Sequence, residues 1–329
     1  MAPAAGAGAG DGQFHVQGRS VVGPDGGPVT LRGVNKSGLE YTAFGYDLDL
    51  PTFQRMKSWG ANVIRLPLSD RFATPGMCGF NKDYLATVDR IVGYGEQLKM
   101  MVLLDDHFAT KGLPCGVGAW SGNQKAPDQY NLAFVKMLAL RYKARPYVAI
   151  DLYNEPHDTS WDMWRNGGVV DNYTAIGMQQ MLDGVRRVGF NGLVFATGPQ
   201  WGNDLRLLAD VPLANDANVI YGAHAYPYTC GAAGVPQSQA YSCDGKQYVP
   251  FLDSQIASAI ARRPVMLTEF GTQRPIAGEM QAPIQWAEDH EIGWIAWLWC
   301  NGKVTDYCLL TPNGEPSVIG QPVQDALLR

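Results

Sequence analysis

Residues 147–156, "YVAIDLYNEP", form an apolar run that ends in a carboxylate set against a proline. A short continuous apolar run bounded by turn residues is what a strand buried on both faces requires. Runs of the same kind recur at "VTLRGVN" (29–35), "ANVIRLPL" (61–68), "MMVLLDDH" (100–107), "LVFATGP" (193–199), "VIYGAHAY" (219–226), "RPVMLTEFG" (263–271) and "IGWIAWLW" (292–299), eight in all. Amphipathic stretches lie between them. "DLPTFQRMKSWG" carries Pro near its start and Gly at its end, as a helix does. "NKDYLATVDRIVGYGEQLK" is expected to start with Asn81 as N-cap and to bury Leu85, Val88, Ile91 and Val92. "QYNLAFVKMLALRYK", "YTAIGMQQMLDGVRRV", "YVPFLDSQIASAIARR", "EMQAPIQWAEDHE" and "VIGQPVQDALL" continue the series, and "WGNDLRLLADVP" is less regular. Strand and helix alternate eight times with no break in composition, which predicts a single-domain α/β fold, the (β/α)8 TIM barrel, over residues 13–329. A doubly wound sheet is the alternative, but no Gly-rich phosphate turn follows the first run. Ahead of the barrel, alternation around "PDGG" predicts a short N-terminal β-hairpin. Residues 1–12 read as a flexible Ala/Gly leader without the charged and apolar regions of a signal peptide.

The 329 residues are 46% apolar and 17% charged, enough for a large core. A net charge of −5 argues against nucleic acid and anionic membranes as partners, because phosphate binding needs a basic surface. No run of about 18 apolar residues spans a membrane. Nine Trp and fifteen Tyr serve either as core filling or as stacking platforms for a neutral, flat ligand such as sugar. Six cysteines with no CxxC pair speak against zinc and for disulfides in an oxidising compartment, so the protein is expected to be secreted. No HExxH or P-loop is present, and "GAGAGDG" has no strand before it, so neither cofactor nor metal is implied.

In such a barrel the site lies at the C-terminal ends of the strands. Seven of the eight runs end in or near Asn35, Arg65, His107, Asn154-Glu155, His224 and Tyr226, Glu269, and Trp297 and Trp299. Ordinary strand ends give way to Gly, Asn and Pro, so this ring of titratable groups on one rim marks a site. Glu155 closes the fourth run and Glu269 the seventh, on opposite sides of the mouth. Either glutamate alone could be a strand-end salt bridge. Two carboxylates across one cleft are the minimum for cleaving a glycosidic bond, one holding a proton and one charged. Arg65 and Tyr226 are placed to keep Glu269 a carboxylate, which leaves Glu155 as the acid. Asp105 and Asp106 read as supporting groups, Asp151 as a hydrogen-bonding group inside the barrel, and His157 as a rim residue.

The motifs "LRGVN", "GANVIRLPL", "DDH", "LYNEPH", "AHAY", "LTEFG" and "GWIAWLW" resemble glycoside hydrolase family 5, the cellulase-type retaining glycosidases, from about residue 13 to the C-terminus. That resemblance implies eight residues around one sugar subsite: Arg65, His107, Asn154, Glu155, His224, Tyr226, Glu269 and Trp297. It implies Glu155 as general acid/base, Glu269 as nucleophile, Asn154 on the sugar 2-hydroxyl and Trp297 as the floor of subsite −1. It further implies a retaining endo-β-1,4-glucanase acting on β-glucan, with a β-mannanase as the nearest alternative; against it stand two rival readings, an inactive sugar-binding barrel and a metal-dependent barrel hydrolase. A monomer without cofactor is expected. On the barrel map the cysteines are expected to pair as Cys78–Cys115, Cys230–Cys243 and Cys300–Cys308, stapling loops of the catalytic face. Aromatic residues in those loops are expected to extend the cleft: Tyr41, Phe44, Phe108, Trp120, Trp161, Trp164, Tyr228 and above all Trp201, which follows the fifth run.

Overall fold

The computed structural model describes residues 12–108, 124–226, 245–302 and 305–329. Strands β1 (His15–Gln17), β2 (Ser20–Val22) and β3 (Pro28–Val29) make a small antiparallel sheet. The Gly23–Gly27 turn joins β2 and β3 as the expected hairpin, with Val21 opposite Val29, and β1 adds one strand more by pairing with β2, His15 opposite Val22. Eight parallel strands then close into a barrel: β4 (Arg32–Asn35), β5 (Val63–Ser69), β6 (Met101–Phe108), β7 (Val148–Asp151), β10 (Val194–Thr197), β11 (Val219–Ala225), β12 (Val265–Phe270) and β13 (Gly293–Ala296). All eight apolar runs are therefore barrel strands. Between β7 and β10 the chain adds an antiparallel pair, β8 (Gly167–Val170) and β9 (Tyr173–Ile176).

Two apolar layers result from the two-residue period of the strands. One face packs on the surrounding helices, with Ile64, Leu66, Val102, Leu104, Ile150 and Leu267 in that core. The other fills the lumen with Val63, Met101, Leu103, Ala149, Phe195, Ile220, Met266 and Ile295, and Phe14 joins this cluster from the N-terminal sheet. The small sheet thus plugs one end and leaves the strand C-termini as the open end.

The helices follow their caps. Asp49 accepts from the Thr52 amide ahead of Leu50–Ser58, and Asp128 and Asn131 form a reciprocal capping box on Gln129–Tyr142. Three expectations are corrected. A one-turn helix, Asp70–Ala73, follows β5, and the long helix expected there is Tyr84–Leu98 with Asp83 at the N-cap, since Asn81 spends its side chain on the Asp83 amide in the preceding turn. "YTAI" is strand β9, and the helix starts only at Met178, where Gln180 reaches back to the Gly177 amide. After β10 the segment 201–218 forms turns in place of a helix. No described helix is long and apolar enough to cross a membrane.

Candidate active site

The same alternation that fills the lumen with apolar groups below delivers polar ones at the top. One period above Val63 stands Arg65, and one above Leu103 stands Asp105, followed by His107. Asp151 stands one period above Ala149. Arg65 is fully buried. Its Nε donates to Asp151 Oδ2 at 3.0 Å, Nη1 to Asn35 Oδ1 at 3.1 Å and Nη2 to Asn154 Oδ1 at 2.8 Å. It also pairs with Asp105 at 3.0 Å and with Glu269 at 2.5 Å. Burial opposes charge on Arg65, but Asp105, Asp151 and Glu269 outweigh it and hold the guanidinium above its ordinary pKa. One guanidinium cannot offset three buried carboxylates. Burial accordingly pushes Asp105 and Asp151 up to about 7 each, against the pull of Arg65.

Glu269 would be misplaced by alternation alone, since Leu267, two residues earlier, faces the helices. Between β11 and β12 the register shifts: Ala223 pairs with Leu267, but His224 pairs with Glu269. This bulge turns Glu269 into the lumen, a common use of bulges beside active sites. There Tyr226 donates its hydroxyl to Glu269 Oε2 at 2.7 Å, opposite the Arg65 contact on Oε1. Both oxygens of Glu269 are thus held by donors.

Glu155 lies beyond the end of β7, where the Asn154 amide is fixed to the Asp106 carbonyl. Its Oε1 is 2.8 Å from His224 Nδ1, which lies 3.7 Å from Glu269 Oε2. Burial drives His224 down to about 3, with Arg65 and His107 pushing the same way and Glu269 opposing. The ring is therefore neutral. Its Nε2 is buried with no hydrogen-bond partner among the described residues, which favours the proton on Nδ1, donated to Glu155. The Glu155 side chain keeps 16% exposure against 4% for Glu269, so of the two it is Glu155 that can reach water. Ligand atoms of Glu155, His224 and Glu269 lie within 4.8 Å of one another. Among the described residues they are also the side chains close enough to share a metal ion.

Trp297 stacks parallel to His107, with centroids 5.4 Å apart, and His107 Nδ1 is fixed by Asp105 at 2.7 Å. Its rivals serve elsewhere: Trp294 is core and donates to Glu288, while Trp299 packs on Trp59. Asn154 is held by Arg65 and lies 3.4 Å from His107 Nε2. All eight residues singled out in the sequence therefore meet at one mouth. Asp106 faces away and accepts from Asn131. Trp164 is a core residue bonded to the Thr197 carbonyl, whereas Trp201 is partly exposed at the rim. Trp120 and Tyr228 lie outside the described residues.

The sequence reading missed the loop after β4. Lys36 and Glu40 are buried there, with Glu40 accepting from Ser37 and from the Gly38 amide at 2.6 Å. Burial pushes Lys36 down to about 8, Asp47 and Glu40 pulling upward. Only their polarity within "NKSGLE" was visible, and that looks like an ordinary loop. Cys300 and Cys308 are joined as expected. Cys78 is also disulfide-bonded. The partner expected for it, Cys115, and the pair Cys230–Cys243 lie outside the described residues.

Comparison with known proteins bears on this geometry. The chain is 25% identical over 304 residues to Cellulase CelDZ1 of Thermoanaerobacterium sp, covering 88% of this chain and 70% of the relative. It is 24% identical over 306 residues to a mannan endo-1,4-beta-mannosidase of Salipaludibacillus agaradhaerens, covering 89% of this chain and 83% of the relative. Of two further endoglucanases that it matches, it spans 35% and 29% of their length. In fold it is similar to the β-glucanase SdGluc5_26A of Saccharophagus degradans, solved with cellotetraose: TM-score 0.75, 17% identity, 97% of this chain and 94% of the other. The family described as Cellulase (glycosyl hydrolase family 5) matches residues 22–303, and this chain belongs to that family.

Proposed function

We propose that the chain is an endo-β-1,4-glucanase that hydrolyses β-glucan with retention, exported from the cell and active as a monomer. One observation carries the mechanism. Two carboxylates lie within 4.8 Å across the mouth, one gripped on both oxygens by Arg65 and Tyr226, the other touched by a neutral histidine and open to solvent. Retention needs carboxyls about 5–5.5 Å apart, whereas inversion needs room for an intervening water. Glu269 attacks the anomeric carbon while Glu155 protonates the leaving oxygen. The glycosyl–enzyme ester is then cleaved by water that Glu155 deprotonates. Asn154, immobilised by Arg65, is read as the partner of the 2-hydroxyl, and Trp297 as the floor of the sugar that reacts. Trp201 stands past Glu155, away from Trp297, and is read as the platform for the leaving sugar. Export is supported by the Cys300–Cys308 disulfide. A monomer is supported by a mouth assembled from one chain.

The mannanase among the relatives keeps a second reading open within the same chemistry. Reducing-sugar release from carboxymethylcellulose, barley glucan, mannan, xyloglucan and chitosan separates the two. Glucans should be cut fastest, and preference for mannan would replace the glucanase reading.

A further inference from the structure

The turn after β10 holds unusual backbone beside the site. Gln200, Trp201 and Gly202 have φ of 58°, 62° and 73°, three successive residues in the left-handed region, two of them bearing a Cβ. Such backbone persists only where its surroundings over-determine it. Here the Trp201 amide donates to the Pro156 carbonyl at 2.9 Å, and Gln200 Nε2 donates to the Thr159 carbonyl at 3.0 Å. Asn203 Nδ2 donates to the carbonyls of Gln200 and Trp201 at 3.1 and 3.2 Å. The His224 amide donates to the Gly202 carbonyl at 2.9 Å, and a Cβ on Gly202 would come within 2.8 Å of the His224 ring. The turn is therefore clamped between the segment that carries Glu155 and the strand that carries its histidine partner.

His157 sits inside this clamp. Its ring lies parallel to the Trp201 indole, centroids 3.7 Å apart and planes 14° off, and its Nδ1 donates to the Glu155 carbonyl at 3.0 Å. It is buried, so one face of the indole is backed by imidazole while the residue as a whole stays partly exposed. Burial lowers its pKa, which keeps the stacked ring neutral. Around the barrel, Trp297 and His107 lie on the arc from β13 through β4 to β6, and Trp201 follows β10, on the far side of Glu155.

We propose that His157 is a positioning residue for the leaving-group half of the cleft. Stacked on Trp201 and tied to the Glu155 carbonyl, it holds the indole in register with the acid/base, so that a sugar bound beyond the scissile bond is gripped only while the imidazole backs the platform. This rests on the reading of Trp201 as the leaving-sugar platform.

The test is the fate of the glycosyl–enzyme formed from an aryl β-cellobioside. Water or added cellobiose can intercept it. In the second case the bond from C1 to Glu269 breaks, C1 bonds to an acceptor hydroxyl oxygen, and the hydroxyl proton passes to Glu155. The ratio of transfer to hydrolysis at subsaturating cellobiose reads the acceptor's grip and is independent of the fraction of folded enzyme. His157→Asn keeps a donor near the Nδ1 position and removes the ring; the ratio should fall roughly 3- to 10-fold, the range of an aromatic stack. His157→Phe keeps a ring behind the indole and loses only the tie to the Glu155 carbonyl, so the ratio should fall less than in His157→Asn. Trp201→Ala should lower it at least as far as His157→Asn. If Trp201→Ala lowers the ratio and His157→Asn does not, the positioning role is refuted. It is also refuted if His157→Asn and His157→Phe fall alike. An unchanged ratio in Trp201→Ala would overturn the platform reading instead, and the inference with it.

Discussion

Glu155→Ala should separate two substrates by the acidity of their leaving groups. Glu155 touches His224 at 2.8 Å, whereas the grip on Glu269 by Arg65 and Tyr226 does not involve it. Truncation therefore removes the proton source and leaves the nucleophile held. General acid catalysis supplies roughly 10²–10⁴ in rate, about 2.7–5.5 kcal/mol, and a sugar leaving group needs all of it. On cello-oligosaccharides kcat/KM should fall by that factor. A dinitrophenyl leaving group departs without a proton, so kcat/KM on dinitrophenyl cellobioside should fall less than about tenfold. The second step still lacks its base, so the covalent intermediate should accumulate as a burst. Azide needs no deprotonation and fits where the carboxyl was; it should restore turnover and yield the β-glycosyl azide. The assay is stopped-flow release of dinitrophenol with and without azide, beside oligosaccharide hydrolysis. Glu269→Ala should lose both substrates. Equal losses on both substrates in Glu155→Ala, or an α-glycosyl azide, would refute the assignment of roles.

Three further outcomes follow from the electrostatics. Tyr226→Phe removes a hydrogen bond to a charged partner, worth about 1.5–3 kcal/mol, and kcat/KM should drop roughly 10- to 150-fold. Lys36 has its pKa lowered to about 8, so its burial weakens the fold increasingly as pH falls from about 10.5 through 8. Lys36→Met should therefore be more stable than the parent at pH 7, by an amount on the order of 3 kcal/mol, and the gap should close above about pH 10.5 in urea titrations. His224 is lowered to about 3 against an unfolded value near 6.5, so the stability it contributes is present above about 6.5 and lost as pH falls toward 3. The pH dependence of parent stability should be steeper than that of His224→Gln below about pH 6.5, by up to about 1.4 kcal/mol per unit; parallel curves would show that the ring already titrates normally.

The barrel was legible because each strand is a dense apolar run, and buried parallel strands write themselves that way. Most of the site was legible for a related reason: Arg65, His107, His224 and Glu269 are polar residues in or at the end of such runs, where core packing alone would not place them. What the sequence concealed depends on register and long-range contact. The bulge that turns Glu269 inward has no local signature, since "LTEF" reads equally well in either phase. Strand β9 looks helical in isolation, and its pairing with Gly167–Val170 decides otherwise. The turn after β10 replaces the expected helix because tertiary hydrogen bonds to Pro156 and Thr159 hold left-handed backbone that propensity would reject. Lys36 and Glu40 were overlooked because nothing local shows that their loop is buried.

Retention requires the anomeric carbon to pass through a bond to Glu269. Proton NMR of a β-linked cello-oligosaccharide during the first minutes of hydrolysis reads this directly, before mutarotation mixes the anomers. The β-anomer should appear first, with the α-anomer growing in only as the sugar equilibrates. Initial release of the α-anomer would mean a single displacement by water and would contradict the roles given to both glutamates.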